Sequence, residues 1–203
     1  SDVLVGMQGK ELPWLAQDAS LAKRIAGVLE PFHRQGMRLR VAVGNEPLAA
    51  WENRDANHHN EGKLVPAVDN MLRALEERGM HDVTVTVPFF GGILGRSYPP
   101  AEGAFSPTHE AAVRAVAGIL HRTGSEFTIH QYPWFAHKFD PWNVPLDLAV
   151  GRAGSNAHGR HYPGLLPQMV AAVRAALVRL DGRYQTMPLT IGETGWPSAG
   201  HGE

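Results

Sequence analysis

Thr190-Ile191-Gly192-Glu193-Thr194-Gly195-Trp196-Pro197-Ser198-Ala199-Gly200 is the stretch that decides the fold. An apolar run from Met187 to Ile191 has the length and composition of a buried strand, and it delivers a carboxylate at its tip. Gly195, Trp196 and Pro197 stop the strand at once. A glutamate at a strand end beside an indole suits sugar chemistry. The indole offers a flat apolar face to a pyranose ring, and the carboxylate offers an oxygen to its anomeric carbon. One carboxylate does not complete such a site, so the rest of the chain must bring a second to the same place.

Working back from that strand, the chain alternates. Strands are expected at Val3 to Met7, Leu39 to Val43, Val83 to Val87, Glu126 to Tyr132 and Met187 to Ile191. Between them lie amphipathic helices. The first runs from Ser20 to about His33, with Leu21, Ile25, Val28, Leu29 and Phe32 on one face and Pro31 weakening its last turn. The second runs from about Gly62 to Arg78, with Leu64, Val65, Val68, Met71, Leu72 and Leu75 at helical spacing and Gly79 as its stop. The third starts at Ser106-Pro107, a cap followed by proline at the first helical position, and buries Ala112, Val113, Val116, Ile119 and Leu120 before Gly124. The fourth spans about Leu165 to Leu180, with Met169, Val170, Val173 and Leu177 inward. Pro88 to Phe105 and the segment after Tyr132 read as long loops.

This β-α alternation makes an α/β protein with parallel strands and right-handed crossovers. Two architectures fit it, a doubly wound open sheet or a β/α barrel. In either, function gathers at the C-terminal ends of the strands. Unusual residues do gather there: Gln8, Asn45-Glu46, Phe89-Phe90, Tyr132 to Phe135 and Glu193 to Trp196. Of the two phenylalanines, one is expected to pack and one to line the cleft.

Glu46 supplies the second carboxylate. Like Glu193 it stands just past a strand, so a parallel fold turns both toward one cleft. Two facing carboxyls are the minimum machinery of glycoside hydrolysis: one protonates the leaving oxygen, the other attacks the sugar or activates a water. Asn45 beside Glu46 is placed to hydrogen-bond a sugar hydroxyl.

Val41-Ala42-Val43-Gly44-Asn45-Glu46 and Ile191-Gly192-Glu193-Thr194-Gly195-Trp196-Pro197-Ser198-Ala199-Gly200 resemble the two catalytic motifs of glycoside hydrolase family 17, the endo-β-1,3-glucanases and their lichenase relatives. Gly95-Arg96-Ser97-Tyr98-Pro99-Pro100 with Gly103-Ala104-Phe105, Tyr132-Pro133-Trp134-Phe135 and Met169-Val170-Ala171-Ala172-Val173 resemble further stretches of that family. The resemblance implies a (β/α)8 TIM barrel, of which residues 1–203 form a single partial catalytic domain, about strands three to seven. It implies a retaining mechanism with Glu46 as general acid/base and Glu193 as nucleophile, their carboxyls roughly 5–5.5 Å apart. Tyr132, Phe135 and Trp196 match aromatic residues of the sugar cleft. The implied substrate is β-1,3-glucan, with transglycosylation as a variant and a non-catalytic β-glucan-binding protein as the alternative from another class. Secretion to the exterior or cell wall follows from the family alone. Three places depart from the pattern: Val87-Pro88 stand where Thr-Ala is usual, His130 stands where Asn is common, and Trp51 to Glu61 is polar and histidine-rich.

Other readings fall away on composition. Nineteen Lys and Arg against 20 Asp and Glu leave a net charge of −1, which gives no electrostatic case for nucleic acid. No apolar run has the length of a membrane span, and no signal peptide is expected at the start. The absence of cysteine removes disulfides, thiolate metal sites and cysteine nucleophiles. Gly6-Met7-Gln8-Gly9 lacks the further glycines of a dinucleotide loop, and no cofactor is expected. There is no G-x-S-x-G elbow for a serine hydrolase. His58-His59 and His158 with His161 lack metal-site spacing and read as surface-loop histidines, so no metal site is expected. His130 shares strand parity with Thr128 and Tyr132. That parity allows it to face the cleft as a substrate contact, but it reads rather as a buried, hydrogen-bonded core histidine. Trp134, Phe139 and Trp142 read equally as sugar platforms or loop packing.

Overall fold

Five short runs of β-branched and apolar residues form a parallel arc in the computed structural model, which describes residues 2–50, 60–157 and 159–199. The first group pairs β1 (Asp2–Gly6) with β2 (Arg38–Ala42) and β2 with β3 (Thr84–Thr86). The second pairs β4 (Pro88–Phe90) with β7 (Phe127–His130) and β7 with β10 (Leu189–Glu193). β3 and β4 are one extended segment interrupted at Val87, so the two groups share it. β1 and β10 each pair on one side only.

That shared segment corrects an expectation. Pro88 was expected to open a loop, yet Pro88–Phe90 remain strand. Proline cannot donate to a ladder, but here its carbonyl is the group in use: it accepts from the Glu46 N–H at 2.9 Å. The neighbouring bond, Val43 N–H to the Thr86 carbonyl at 2.8 Å, carries the pairing past the formal end of β2.

Helices cross between the strands as the alternation requires. α2 (Ala19–Arg34) joins β1 to β2, α3 (Glu61–Glu76) joins β2 to β3, α4 (Pro107–Arg122) joins β4 to β7, and α7 (Leu165–Leu180) leads from β7 to β10. The Asp18 carboxylate caps α2 by accepting from the Ser20 N–H at 2.8 Å. Pro31 does not end α2, since it forfeits one hydrogen bond near the end of the helix and its ring sits on the exposed side. The buried stripe of α2 is Ala22, Ala26 and Leu29, whereas Val28 and Phe32 are 66% and 46% exposed. Two alanines and Leu29 form the buried stripe, and Leu21 and Ile25 pack half-buried beside it, so small side chains carry part of the inward face. α7 is likewise rotated from its expected face. Ala172, Val173, Ala176 and Leu177 are buried, while Met169 and Val170 are half-buried and Met169 turns to the cleft.

The loops hold more structure than their composition suggested. The exit of β1 contains α1 (Leu12–Gln17), anchored by the buried Leu12 and Leu15. The segment after β4 folds into an antiparallel pair, β5 (Leu94–Arg96) with β6 (Ala104–Phe105). A Cβ at Gly103 would stand 2.0 Å from the Ala172 carbonyl oxygen, so this loop lies directly on α7. After β7 come α5 (Pro133–Phe139), α6 (Leu146–Ala149) and a second hairpin, β8 (Ser155–Ala157) with β9 (Arg160–Tyr162). The histidine-rich residues 51–59 and His158 lie outside the described residues; Asn60 and Glu61 at the edge of the expected loop instead cap and open α3.

The core fills the space between arc and helices. Phe89 stacks on Phe127 at 5.3 Å between ring centroids, and Phe105 leans on Phe127 at 6.1 Å. Val41, Val85 and Ile129 are fully buried beside them. On the opposite face of the arc the Thr86 hydroxyl lies 2.9 Å from the Thr128 hydroxyl. Among the described residues no helix is long and apolar enough to cross a membrane.

Candidate active site

All five strands run the same way, so their C-terminal ends open on one side. Glu46 follows β2, Phe90 ends β4, His130 ends β7 with Tyr132 just beyond, and Glu193 ends β10. Phe89 turns into the core while Phe90 lines the cleft, one in and one out as alternation requires.

Glu46 reaches the cleft through an uncommon backbone. Gly44 has φ +78° and Glu46 itself has φ +48°. A left-handed glutamate costs about 1–3 kcal/mol and persists only where its surroundings hold it. Here the N–H is fixed to the Pro88 carbonyl, and the Glu46 carbonyl accepts from Ala49 N–H at 2.9 Å. Pro47, Leu48 and Ala49 are buried behind it. The turn thereby points one carboxylate back over the ends of β4 and β7.

Glu193 is aimed by a different device. Ile191 pairs with Ile129, yet Glu193 pairs with His130, and Gly192 is an extra residue between them. By simple alternation Glu193 would share the face of Ile191, which packs against the core. The bulge turns it to the face of His130 instead. Gln131 N–H closes the ladder on the Glu193 carbonyl at 3.0 Å. Gly192 leaves room for this. A Cβ there would stand 2.7 Å from Thr128 Cγ2 and 2.8 Å from His130 Nε2.

The two carboxylates meet at one histidine. His130 Nδ1 is 3.0 Å from Glu46 Oε1 and 3.5 Å from Glu193 Oε2. Oxygens of both glutamates and this nitrogen lie within 4.8 Å of one another. His130 is 3% exposed, and the Glu46 and Glu193 side chains are 16% and 45% exposed. His130 is thus buried and hydrogen-bonded as expected, but its partner is a cleft carboxylate.

The Tyr132 hydroxyl donates to Glu193 Oε2 at 2.7 Å. Burial, and then the hydrogen bond to the Glu193 carboxylate, push this phenol up to about 12. It therefore keeps its proton, and its donated bond, throughout the neutral range. A hydrogen bond to a charged group is worth about 1.5–3 kcal/mol. Tyr132→Phe is expected to lower any reaction that depends on Glu193 by about ten- to hundredfold. Steady-state kinetics with circular dichroism as a folding control checks this, and an unchanged rate would count against it.

These groups line a cleft of about 1190 Å³. Phe90, Tyr98, Tyr132 and Phe135 give it aromatic walls, and Gln131, Asn156 and Gln168 add amide groups. Phe135 is exposed and stacks on Phe139 at 6.2 Å. Tyr98 and Gln168 were not singled out in the sequence. The signal for Gln168 was a polar residue in the same buried helical stripe as Ala172 and Ala176, and it donates to Ser155 Oγ at 2.8 Å. Asn45 is exposed beside Glu46 and is not among the lining residues. Trp196 also stands outside the lining, with its ring 4.9 Å from Trp134 and 5.9 Å from His137. Trp142 is almost fully exposed, and His161 is a surface histidine.

The family model for glycosyl hydrolases family 17 matches residues 32–203. The chain belongs to this family. Among its relatives, glucan endo-1,3-beta-glucosidase 13 of Arabidopsis thaliana is 33% identical over 98% of the chain and 39% of its own length. A glucan endo-1,3-beta-glucosidase of Vitis vinifera is 28% identical over 98% of the chain and 58% of its own length. A similar solved structure is CJP38, a beta-1,3-glucanase and allergen of Cryptomeria japonica pollen. It superposes with a TM-score of 0.86 at 29% identity, over 98% of this chain and 61% of its own. A plant beta-glucan endohydrolase superposes with a TM-score of 0.81 at 27% identity, over 62% of its length. The chain thus spans about three fifths or less of the length of these relatives.

Proposed function

We propose that the protein is a retaining hydrolase of β-1,3-glucan, with Glu46 as general acid/base and Glu193 as nucleophile. The observation that carries this is the convergence of the two carboxylates from different strands, with oxygens within 4.8 Å of one another beside a cleft of chain-binding size. Carboxyl groups about 5–5.5 Å apart leave no room for a water between them and the sugar, so one must attack directly; inverting enzymes need about 6.5–9.5 Å.

In the first step Glu46 gives its proton to the glycosidic oxygen as Glu193 attacks the anomeric carbon, and the aglycone leaves. In the second, Glu46 takes a proton from water, which displaces Glu193. Glu46, the less exposed of the two and placed beside His130, is given the acid/base role. The more exposed Glu193, held by Tyr132, suits the attacking carboxylate. Phe90, Tyr98, Tyr132 and Phe135 would carry the sugar faces. Asn45 would meet a sugar hydroxyl from the rim, and Trp196 would act on a glucan chain that extends past the Trp134 cluster.

The open five-strand arc and the share of its relatives that the chain covers support its being a part of a (β/α)8 barrel, about strands three to seven. The substrate reading carries with it an extracellular or wall location, where polymeric glucan is met. The test is laminarin digestion followed by proton NMR of the first sugar released. The β-anomer is expected to appear first. An α-anomer as first product would remove the nucleophile role from Glu193, and binding of laminarin with no released sugar would make the protein a glucan-binding module.

A further inference from the structure

His130 has no step of its own in the two-step reaction above, yet the fold brings both carboxylates to it. Among the described residues, Glu46, His130 and Glu193 are the one group of three such side chains whose ligand atoms converge within 4.8 Å. Their edges from Nδ1 are 3.0 and 3.5 Å. A tetrahedral zinc ion with nitrogen and oxygen ligands at about 2.0–2.2 Å has ligand edges of about 3.3–3.6 Å. The two edges at Nδ1 are thus within a few tenths of an ångström of that geometry, and the carboxylate oxygens, within 4.8 Å, would close by up to about an ångström around the ion.

We propose that Glu46, His130 and Glu193 bind Zn²⁺ one-to-one and that the bound ion blocks the proposed hydrolysis by occupying the oxygens that act on the sugar.

Four features of the site favour zinc. The donor set of one imidazole and two carboxylates suits zinc and its transition-metal neighbours, whereas Mg²⁺ and Ca²⁺ seek all-oxygen shells. The two carboxylates balance the charge of the ion. His130 is buried and therefore held in place, while Glu193 faces the open cleft and gives the ion a way in and water a fourth position. Tyr132 donates to Glu193 Oε2 at 2.7 Å and fixes that carboxylate as an outer-shell partner does in metal sites. The cost is the hydrogen bond between His130 and Glu46, exchanged for two metal bonds. No sequence spacing announces the site, because its three ligands come from the ends of three separate strands.

The inhibitory half rests on the hydrolase reading; the binding half does not. Zinc chloride titrated calorimetrically into the protein at neutral pH is expected to bind at one saturable cleft site. His130→Asn and Glu193→Gln are each expected to weaken that site by at least about tenfold, and magnesium chloride is expected not to fill it. Replacing the surface residue His161 by alanine is expected to leave it unchanged. Laminarin is expected to compete with zinc in the unsubstituted protein, which keeps the test valid should a variant fail to fold. Zinc bound as tightly by His130→Asn as by the parent, or no saturable binding, would overturn the proposal. Full hydrolysis at saturating zinc would overturn its inhibitory half, whereas a protein that binds zinc in the cleft but releases no sugar would keep the site and lose the hydrolase reading.

Discussion

Glu193→Gln is expected to lower laminarin turnover by at least about 10⁴-fold, since the amide cannot form the glycosyl ester on which a retaining reaction depends. The substitution keeps shape and the acceptor for Tyr132, so folding and laminarin binding should survive. Glu46→Ala separates the two roles. It is expected to cost about 10²–10⁴-fold on laminarin, the usual range for losing a general acid. On an aryl β-glucoside oligomer whose leaving group needs no proton, the first step should recover and the second become limiting. A burst of aryl alcohol followed by a slow phase is the result expected of Glu46→Ala and not of Glu193→Gln. If both variants behave alike on the aryl substrate, the assignment of acid and nucleophile is wrong. Turnover of laminarin by Glu193→Gln at the parental rate would remove the hydrolase reading altogether.

The second large effect comes from a residue with no chemistry of its own. Gly192→Ala places a Cβ 2.7 Å from Thr128 Cγ2 and within 2.9 Å of two atoms of the His130 ring. Neither neighbour is the free end of a flexible chain. Thr128 is fully buried and His130 is tied to Glu46. Either the bulge relaxes or the imidazole moves, and overpacking of this kind costs about 1–3 kcal/mol. Both outcomes disturb the group that touches both carboxylates. Chemical denaturation is expected to show that loss of stability, with a fall in laminarin turnover much larger than the stability change explains. A variant with parental stability and rate would mean that the bulge does not set the position of Glu193.

What could be read from residues alone divides along physical lines. The strand and helix order was legible because each apolar run has a clear period, and the parallel arrangement followed from the alternation. The two glutamates drew the eye as a pair, since either one alone could equally be a capping or surface carboxylate, and the structure brings their oxygens within 4.8 Å. The inward faces of α2 and α7 were less so. Val28 and Phe32 have the hydrophobicity of core residues, but hydrophobicity does not say which of several candidate stripes turns inward, and Ala22, Ala26 and Leu29 take that place. Pro88 misled because its missing donor argues against a strand, while its carbonyl, which Glu46 uses, leaves no trace in composition. The bulge at Gly192 was hidden for the same reason as the convergence on His130. Both depend on which residues of two strands stand opposite each other, and register is a property of pairs of strands. Histidines 58, 59 and 158 drew attention by being adjacent or nearly so to others, whereas the histidine that meets the carboxylates stands alone in sequence.

The shared segment of β3 and β4 has a mechanical consequence. Glu46 and Glu193 hang from strands separated by three ladder spacings: β2 to β3, β4 to β7 and β7 to β10. On a flat sheet, at about 4.8 Å per spacing, their side chains would rise side by side about 14 Å apart. Their oxygens lie within 4.8 Å, so the strands must curl with the carboxylates on the concave side. Sheet curvature, together with the Glu46 turn, therefore sets the gap between the two carboxylates. A gap wider by a few ångströms is the difference between direct attack and attack by an interposed water. Substitutions on the concave wall at Thr86 or Thr128, which touch no sugar, would then act on the stereochemical course of the reaction by opening or tightening that curl.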